Sequence, residues 1–251
     1  MQDNQKRIVI IGATSAIAEH CTRLWVKDIG VDLTLVGRDP EKTERVAADL
    51  RVRSPQSVVR VLEADFIDPL AIRQLVDGII AEGSVNTVLI AHGSLPNQEI
   101  CQQDLTACHE ALTVNGISPV LFAEAFIGHM QIANQGTLAI IGSVAGDRGR
   151  KSNYVYGAAK GLVTRYVQGL QHRLAGTEVK VVLIKPGPTD TPMTAHLKQQ
   201  GSRLASVEDA AKLIVKAIHQ GKPVVYVTAK WALIMMIIRH LPNFVFKKLD
   251  I

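Results

Sequence analysis

The chain has 251 residues, 47% hydrophobic and 20% charged, which suits one globular domain with a large core. Its formal net charge is +5, but Lys222, Lys230, Arg239, Lys247 and Lys248 against Asp250 leave +4 from residue 222 onward and +1 before it. That distribution excludes a nucleic-acid-binding surface spread over the protein and predicts a basic tail on a nearly neutral domain. No internal repeat, low-complexity tract or long linker interrupts the chain. The polar N-terminus runs straight into an apolar stretch, which argues against a secretory signal. Cys21, Cys101 and Cys108 are odd in number and lack metal spacing, so they read as reduced thiols of a cytoplasmic protein.

Short apolar runs alternate with helical stretches, which predicts a parallel α/β sheet rather than a sandwich. The first strand spans 7–11. The loop Gly12-Ala13-Thr14-Ser15-Ala16-Ile17-Ala18 follows, then an amphipathic helix to about Ile29. Strand, small-residue loop and helix together place a phosphate at a helix N-terminus. Gly12 allows the tight turn, and Thr14 and Ser15 add hydroxyls to amides that would meet a pyrophosphate. The loop is equally compatible with ordinary strand-to-helix punctuation. A second strand over 32–36 ends in Gly37-Arg38-Asp39-Pro40. An acid at its last position would bind a ribose 2′-hydroxyl. Gly37 stands there instead, and Arg38 suits a 2′-phosphate, which favours NADP(H) and leaves NAD(H) open. The alternative is a solvated arginine beside a helix whose Asp39, Glu41 and Glu44 suit its N-terminus.

A third strand over 58–62 leads to Glu63-Ala64-Asp65-Phe66. Asp65 is expected either to accept from an adenine amino group or to cap the helix from Pro69. A fourth strand over 87–90 runs into Ala91-His92-Gly93, whose backbone would pass under a cofactor. His92 is a candidate acid or base, although a strand-end histidine is more often structural. Helices are expected over 99–113 and 115–133, with Asn115 at their junction. A mid-helix asparagine predicts a kink or a buried hydrogen bond.

A strand over 137–141 precedes Ser143. Tyr156 follows thirteen residues later in Tyr156-Gly157-Ala158-Ala159-Lys160. A helix opening near Asn153 puts Tyr156 and Lys160 on one face, four residues apart. An ammonium beside a phenol favours the phenolate, so the tyrosine pKa is expected to fall and suit proton transfer. The bland reading is a helix with one aromatic and one solvated lysine. A strand over 179–184 leads into a turn from Lys185 to Met193, stiffened by Pro186, Gly187 and Pro188. Residues to about Arg203 are expected to form a mobile lid. A helix over 206–220 and a strand over 224–227 complete the sheet.

Taken together, Gly12, Asp65, Ala91-His92-Gly93, Asn115, Ser143, Tyr156, Lys160 and Pro186-Gly187 stand in an order that resembles the short-chain dehydrogenase/reductase family over nearly the whole chain. The sequence departs from that family at Ile11, Ala16, Ala18 and His92, which bears on pyrophosphate geometry. The resemblance implies a doubly wound Rossmann fold, a seven-stranded parallel sheet with helices on both faces over 1–228; residues 229–251, which ordinary members of that family lack, are expected to form a C-terminal apolar, basic helical tail of the same domain. It implies hydride transfer between a nicotinamide and a ketone or secondary alcohol. Tyr156 would be the acid/base, Lys160 would tune it and hold the ribose, Ser143 would orient the carbonyl, and Asn115 would support a proton-relay water. The implied cofactor residues are Gly12, Thr14, Ser15, Ala16, Ile17, Arg38, Asp65, Phe66, Ala91, His92, Gly93, Tyr156, Lys160, Pro186, Gly187, Thr189 and Thr191. No metal is implied, and a homo-oligomer is expected.

GATSAIA, AGDRGRKSNYVYGAAKGL, PGPTDTPMTAHLK and the ending MMIIRHLPNFVFKKLDI further resemble the reductase subunits of decaprenylphosphoryl-ribose 2′-epimerases. That likeness implies reduction of a lipid-linked keto sugar and a flavin-dependent oxidase partner. Residues 231–238 form an eight-residue apolar run, too short to span a bilayer, which needs about 20. With its aromatic and basic flanks it suits peripheral contact with the inner face of the membrane. Arg148, Arg150 and Lys151 are expected to meet a lipid phosphate. The tail is expected to be separable from the nucleotide site, or else to pack on a neighbouring subunit. The alternatives are a reductase of a soluble or acyl-carrier-linked ketone, of 3-ketoacyl type, and a non-catalytic dinucleotide-binding module.

Overall fold

A computed structural model describes residues 5–28 and 30–249. The expected helix end at Ile29 and the tail's last residues, Asp250 and Ile251, lie outside them. Seven strands form one parallel sheet in the order β3-β2-β1-β4-β5-β6-β7. They are β1 (Arg7–Ile11), β2 (Asp32–Gly37), β3 (Val58–Glu63), β4 (Thr87–Ile90), β5 (Thr137–Ile141), β6 (Lys180–Pro186) and β7 (Val224–Val227). The central strands are rich in Val, Ile and Leu because both faces are covered, as parallel sheets require. The order reverses between β1 and β4, and the carboxyl ends on either side of that point open a crevice.

Helices α1 (Ala16–Asp28), α2 (Pro40–Arg53) and α9 (Val207–His219) occupy one side of the chain's crossovers. Ala18, Cys21, Ala47, Leu50, Ala210 and Ile214 bury against Ile8, Ile10, Leu33 and Leu35. Helices α3 (Pro69–Ala81), α4 (Gln98–Gln103), α5 (Leu105–Leu112), α6 (Ser118–Ala133) and α7 (Tyr154–Arg173) follow in the other crossovers. On that face Phe122, Phe126, Ile127 and Val163 pack on Val9, Val88 and Ile140. Phe122 and Phe126 are fully buried, and each contributes about 1.5–3 kcal/mol of apolar burial. The run Leu105–Ala133 is long and apolar enough to cross a membrane, but 67% of its most apolar window is buried inside this fold. All three cysteines are free, with Cys21 and Cys101 buried.

Two of the boundaries that differ from the sequence expectation have a clear local cause. The helix expected over 99–113 is broken at Asp104, whose carboxylate accepts from Thr106 N–H at 2.7 Å and so starts a new helix. The turn expected from Lys185 begins later, because Lys185 and Pro186 pair in register with Tyr226 and Val227 and extend β6.

After β7 the tail forms α10 (Lys230–His240) and α11 (Asn243–Phe246). It is tied to the body through Arg148. The Arg148 guanidinium donates to the carbonyls of Ile238 at 2.5 Å and Leu241 at 2.7 Å, and to Asn243 Oδ1 at 3.0 Å. It also lies 3.8 Å from the centroid of the Phe246 ring. These contacts satisfy carbonyls at the end of α10, which lack intrahelical donors. Arg148 is therefore spent on the tail and is withdrawn from the expected phosphate contacts. Leu233, Met236, Ile237 and Phe244 remain exposed on the tail's outer face.

Candidate active site

A cleft of ≈ 590 Å³ runs along the carboxyl ends of the strands. Gly12 opens its floor with φ +85°, and a Cβ there would lie 2.6 Å from His92 Cβ and N, so only glycine fits. The N–H groups of Gly12 and Ala13 donate to Val36 O at 2.9 and 3.1 Å, which ties the turn to β2. Ala16 and Ile17 begin α1, whose first-turn amides have no intrahelical acceptor and face the cleft end where Thr14 and Ser15 also lie. These features fit a pyrophosphate.

At the end of β2, a Cβ on Gly37 would lie 2.0 Å from Thr43 Oγ1. Arg38 is exposed at the cleft wall, and no carboxylate pairs with it among the described residues. Asp65 is the exception among the expected cofactor residues, because it stays out of the main cleft. Its Oδ1 accepts from the N–H groups of Ile67 at 2.6 Å and Asp68 at 3.0 Å, which holds its carboxyl below the usual range. It therefore shapes the turn, and Asp68 caps α3 by accepting from Leu70 N–H at 2.9 Å. Asp65 borders a neighbouring recess that also contains Arg38 and Phe66.

His92 is structural in its side chain. Its Nε2 lies 2.8 Å from Ser118 Oγ, and its ring packs edge-on against Phe66 and Phe122 at 4.8 and 5.7 Å. Burial, with the Lys160 charge adding to it, lowers its pKa to about 3, so the ring is neutral. His92 lines the cleft, and its neutral ring, packed between Phe66 and Phe122, favours the structural reading over the acid/base one.

Asn115 sits in a five-residue π-helical segment, Thr113–Ile117, between α5 and α6. The extra residue turns its fully buried side chain inward. Its Nδ2 donates to Ala111 O at 2.9 Å, and its Oδ1 accepts from Ser94 N–H at 2.9 Å. Of the expected kink or buried hydrogen bond, the hydrogen bond is present. A Cβ on Gly93 would lie 2.9 Å from Asn115 Oδ1 and 3.6 Å from Lys160 Nζ, so these three groups meet.

Ser143 leaves β5 in extended conformation, and its Oγ accepts from Ala145 N–H at 3.1 Å. Ser143 and Tyr156 line the same part of the cleft, and the serine hydroxyl favours the phenolate. Tyr156 and Lys160 share a face of α7, with Nζ 5.8 Å from the ring centroid. Lys160 is 2% exposed and donates to Ile141 O at 3.1 Å. Burial lowers its pKa to about 8. Burial raises the Tyr156 pKa, against the opposing Ser143 hydroxyl. The expected fall in the tyrosine pKa is thus reversed. Lys160 is aimed at a carbonyl, and desolvation outweighs the help the phenolate receives.

Pro186, Gly187, Thr189 and Thr191 form the opposite wall. The Trp231 indole lies directly on Gly187, where a Cβ would be 1.9 Å from its Nε1. Thr189 bridges to Ala205, and Asp190 N–H donates to Ala205 O at 2.8 Å. The expected lid is therefore a loop closed at its base. Within it, Pro192–Thr194 forms a helical turn and α8 spans Ala195–Gln199. Met193, Thr194 and Leu197 face the cleft.

Two features were not anticipated from the sequence. Asp147 and Lys185 form a buried ion pair, with side chains 2% and 4% exposed, and Tyr226 donates to the same carboxylate at 2.8 Å. This cluster joins β6, β7 and the turn after Ser143. The second is the contact of Trp231 on Gly187, since an indole far along the chain carries no local mark of its target.

The sequence profile of the short chain dehydrogenase family matches residues 6–202. An uncharacterized oxidoreductase of Mycobacterium tuberculosis is 30% identical over 245 residues, 96% of this chain and 96% of that one. A second, from Staphylococcus aureus, is 30% identical over 222 residues, 87% of this chain and 93% of its own. Among solved structures, a short-chain dehydrogenase from Sphingobium yanoikuyae in complex with NADPH superimposes with TM-score 0.81 at 21% identity, covering 95% of this chain and 97% of that one. A short chain dehydrogenase from Burkholderia cenocepacia in complex with NADP gives 0.83 at 18% identity over 100% of both. The profile match and the relatives agree with the order of residues around the cleft: the chain belongs to the short-chain dehydrogenase/reductase family and is an oxidoreductase.

Proposed function

We propose that the chain is an NADPH-dependent ketone reductase in which Tyr156 donates the proton. The observation that carries this reading is the meeting of Asn115, Ser143, Tyr156 and Lys160 in the same cleft as the Gly12–Ile17 turn. A bound nicotinamide supplies the hydride. Tyr156 Oη transfers its proton to the carbonyl oxygen as charge develops there. Ser143 Oγ hydrogen-bonds the same oxygen and fixes its position. Lys160 holds a positive charge near the phenol and is available to the nicotinamide ribose. Asn115 fixes the Ser94 backbone and the close approach of Gly93, which shapes the floor. The high tyrosine pKa favours the protonated phenol at neutral pH, the form that reduction needs.

NADP(H) is favoured by Gly37 and the unpaired Arg38, whose fork suits a phosphate. The two similar structures that hold NADPH and NADP agree with that choice. For substrate we favour a lipid-linked keto sugar of the decaprenylphosphoryl 2-keto-pentose type, made by a flavin-dependent oxidase partner. The support is the resemblance of the tail, together with its exposed apolar face beside Lys230, Arg239, Lys247 and Lys248. The same features support a cytoplasmic homo-oligomer held at the inner membrane face. The test is oxidation of NADPH with a polyprenylphosphoryl 2-keto-pentose in anionic vesicles, beside an acetoacetyl thioester in solution. Turnover of the lipid alone supports the reading. Turnover of the thioester alone replaces it with a 3-ketoacyl reductase.

A further inference from the structure

The turn between the Ser143 segment and α7 brings two polar side chains to the substrate end of the cleft. Arg150 and Asn153 stand three residues apart, and Tyr156 follows three residues later. Asn153 N–H donates to Arg150 O at 3.1 Å, and Gly157 N–H donates to Asn153 O at 2.8 Å, so the turn is fixed to the helix that carries the phenol. Arg150, Asn153 and Tyr156 all line the cleft.

Each of these side chains has one buried polar atom left without a partner. Arg150 Nε and Asn153 Oδ1 are both buried and lack a hydrogen-bond partner. No carboxylate pairs with Arg150 among the described residues. Asn153 occupies the N-cap position of α7, yet its side chain makes no capping bond. Asp147 is engaged with Lys185 and Tyr226, and Asp190 with Lys198 at 2.5 Å. A guanidinium half removed from water without a counter-charge is costly, as is a buried amide oxygen without a donor. Burial also lowers the Arg150 pKa, which reports the same missing partner. One ligand relieves both groups: an anionic oxygen group for Arg150 and an adjacent hydroxyl for Asn153.

We infer that Arg150 and Asn153 form a subsite that selects hydroxylated ketones carrying a phosphate or carboxylate within reach of the reacting carbonyl. This rests on the ketone-reductase reading of the cleft and narrows its substrate class. Arg150 binds the anion and takes no part in proton transfer, so its loss falls on substrate affinity.

The test uses matched pairs: dihydroxyacetone phosphate against dihydroxyacetone for the phosphate, and 3-hydroxypyruvate against its methyl ester for the carboxylate. Calorimetric titration into the NADP⁺-loaded protein reads binding without turnover, and NADPH oxidation reads turnover. The anionic member of at least one pair is expected to bind about 10- to 100-fold more tightly than its neutral partner. Arg150→Gln removes that preference, raises KM and leaves kcat within a few-fold, while Arg150→Lys keeps part of it. The pair that shows the preference identifies the anion. Equal binding of both members in both pairs overturns the subsite, as does an equal loss for both members in Arg150→Gln. If the glutamine variant does not fold, the wild-type pairs alone decide. A preference in binding without turnover of these small probes upholds the subsite, and the reductase reading is then decided by the polyprenylphosphoryl 2-keto-pentose; turnover without preference overturns the subsite and keeps the reductase reading.

Discussion

Lys160 is the charge buried deepest in the cleft, and its burial predicts a measurable dependence of stability on pH. The lysine is 2% exposed, and its pKa falls from 10.5 to about 8 because the ammonium is desolvated. At about 1.4 kcal/mol per pH unit, this amounts to about 3 kcal/mol. The folded chain releases this proton at lower pH than the unfolded chain. Between about pH 8 and pH 10.5 the unfolded chain therefore holds more protons, and stability rises with pH through that window. Below pH 8 the penalty is fully present. Lys160→Met has no such group, and its loss of the hydrogen bond to Ile141 O is the same at every pH. The assay is urea denaturation of both proteins at several values from pH 7 to pH 10.5. Wild-type stability minus Lys160→Met stability is expected to increase by about 3 kcal/mol across that range. Parallel curves would refute the claim that the site carries a desolvated ammonium.

Asp147→Ala leaves Lys185 buried without its counter-charge and removes the acceptor of Tyr226, so it should cost about 3–5 kcal/mol in urea denaturation. Adding Lys185→Met should recover most of that loss, and a double variant no more stable than the single one would contradict the pairing. Arg38→Ala should weaken NADPH binding about tenfold or more while changing NADH binding little, as followed by nicotinamide fluorescence. Equal losses would remove Arg38 from the 2′-phosphate. Truncation before Trp231 should weaken NADPH binding as well as vesicle binding, because it strips the indole from Gly187 and leaves Arg148 without its carbonyls. Unchanged NADPH affinity in the truncated protein would show that the tail is energetically separate.

The legible parts of the site were those set by spacing within one element. Tyr156 and Lys160 four residues apart on a helix, Gly12 at a strand-to-helix turn and Asn115 at a helix junction all carry local marks, and their positions followed from them. The sheet was legible for the same reason, since strands covered on both faces show as short continuous apolar runs. What was missed depends on contacts between residues distant in sequence. Arg148 reads as a free cation for a phosphate until α10 brings the Ile238 and Leu241 carbonyls to it. Lys185 reads as part of a turn until β7 pairs with it and Asp147 neutralises it. The tyrosine pKa was misread because spacing fixes the distance between two groups but not how much water reaches them. His92 was ambiguous in sequence, and only the packing of Phe66 and Phe122 around its ring shows it to be neutral and structural.

The central claim is that Tyr156 moves the proton in a nicotinamide-dependent reduction. Tyr156→Phe keeps the ring and its packing on α7 and removes only the hydroxyl that shares the cleft with Ser143. Single-turnover hydride transfer from NADPH to a ketone that the wild-type protein reduces, with NADPH affinity measured in parallel, tests the claim directly. The account predicts a fall of about 100-fold or more in the transfer rate with NADPH affinity almost unchanged. A variant that transfers hydride within a few-fold of wild type would contradict it.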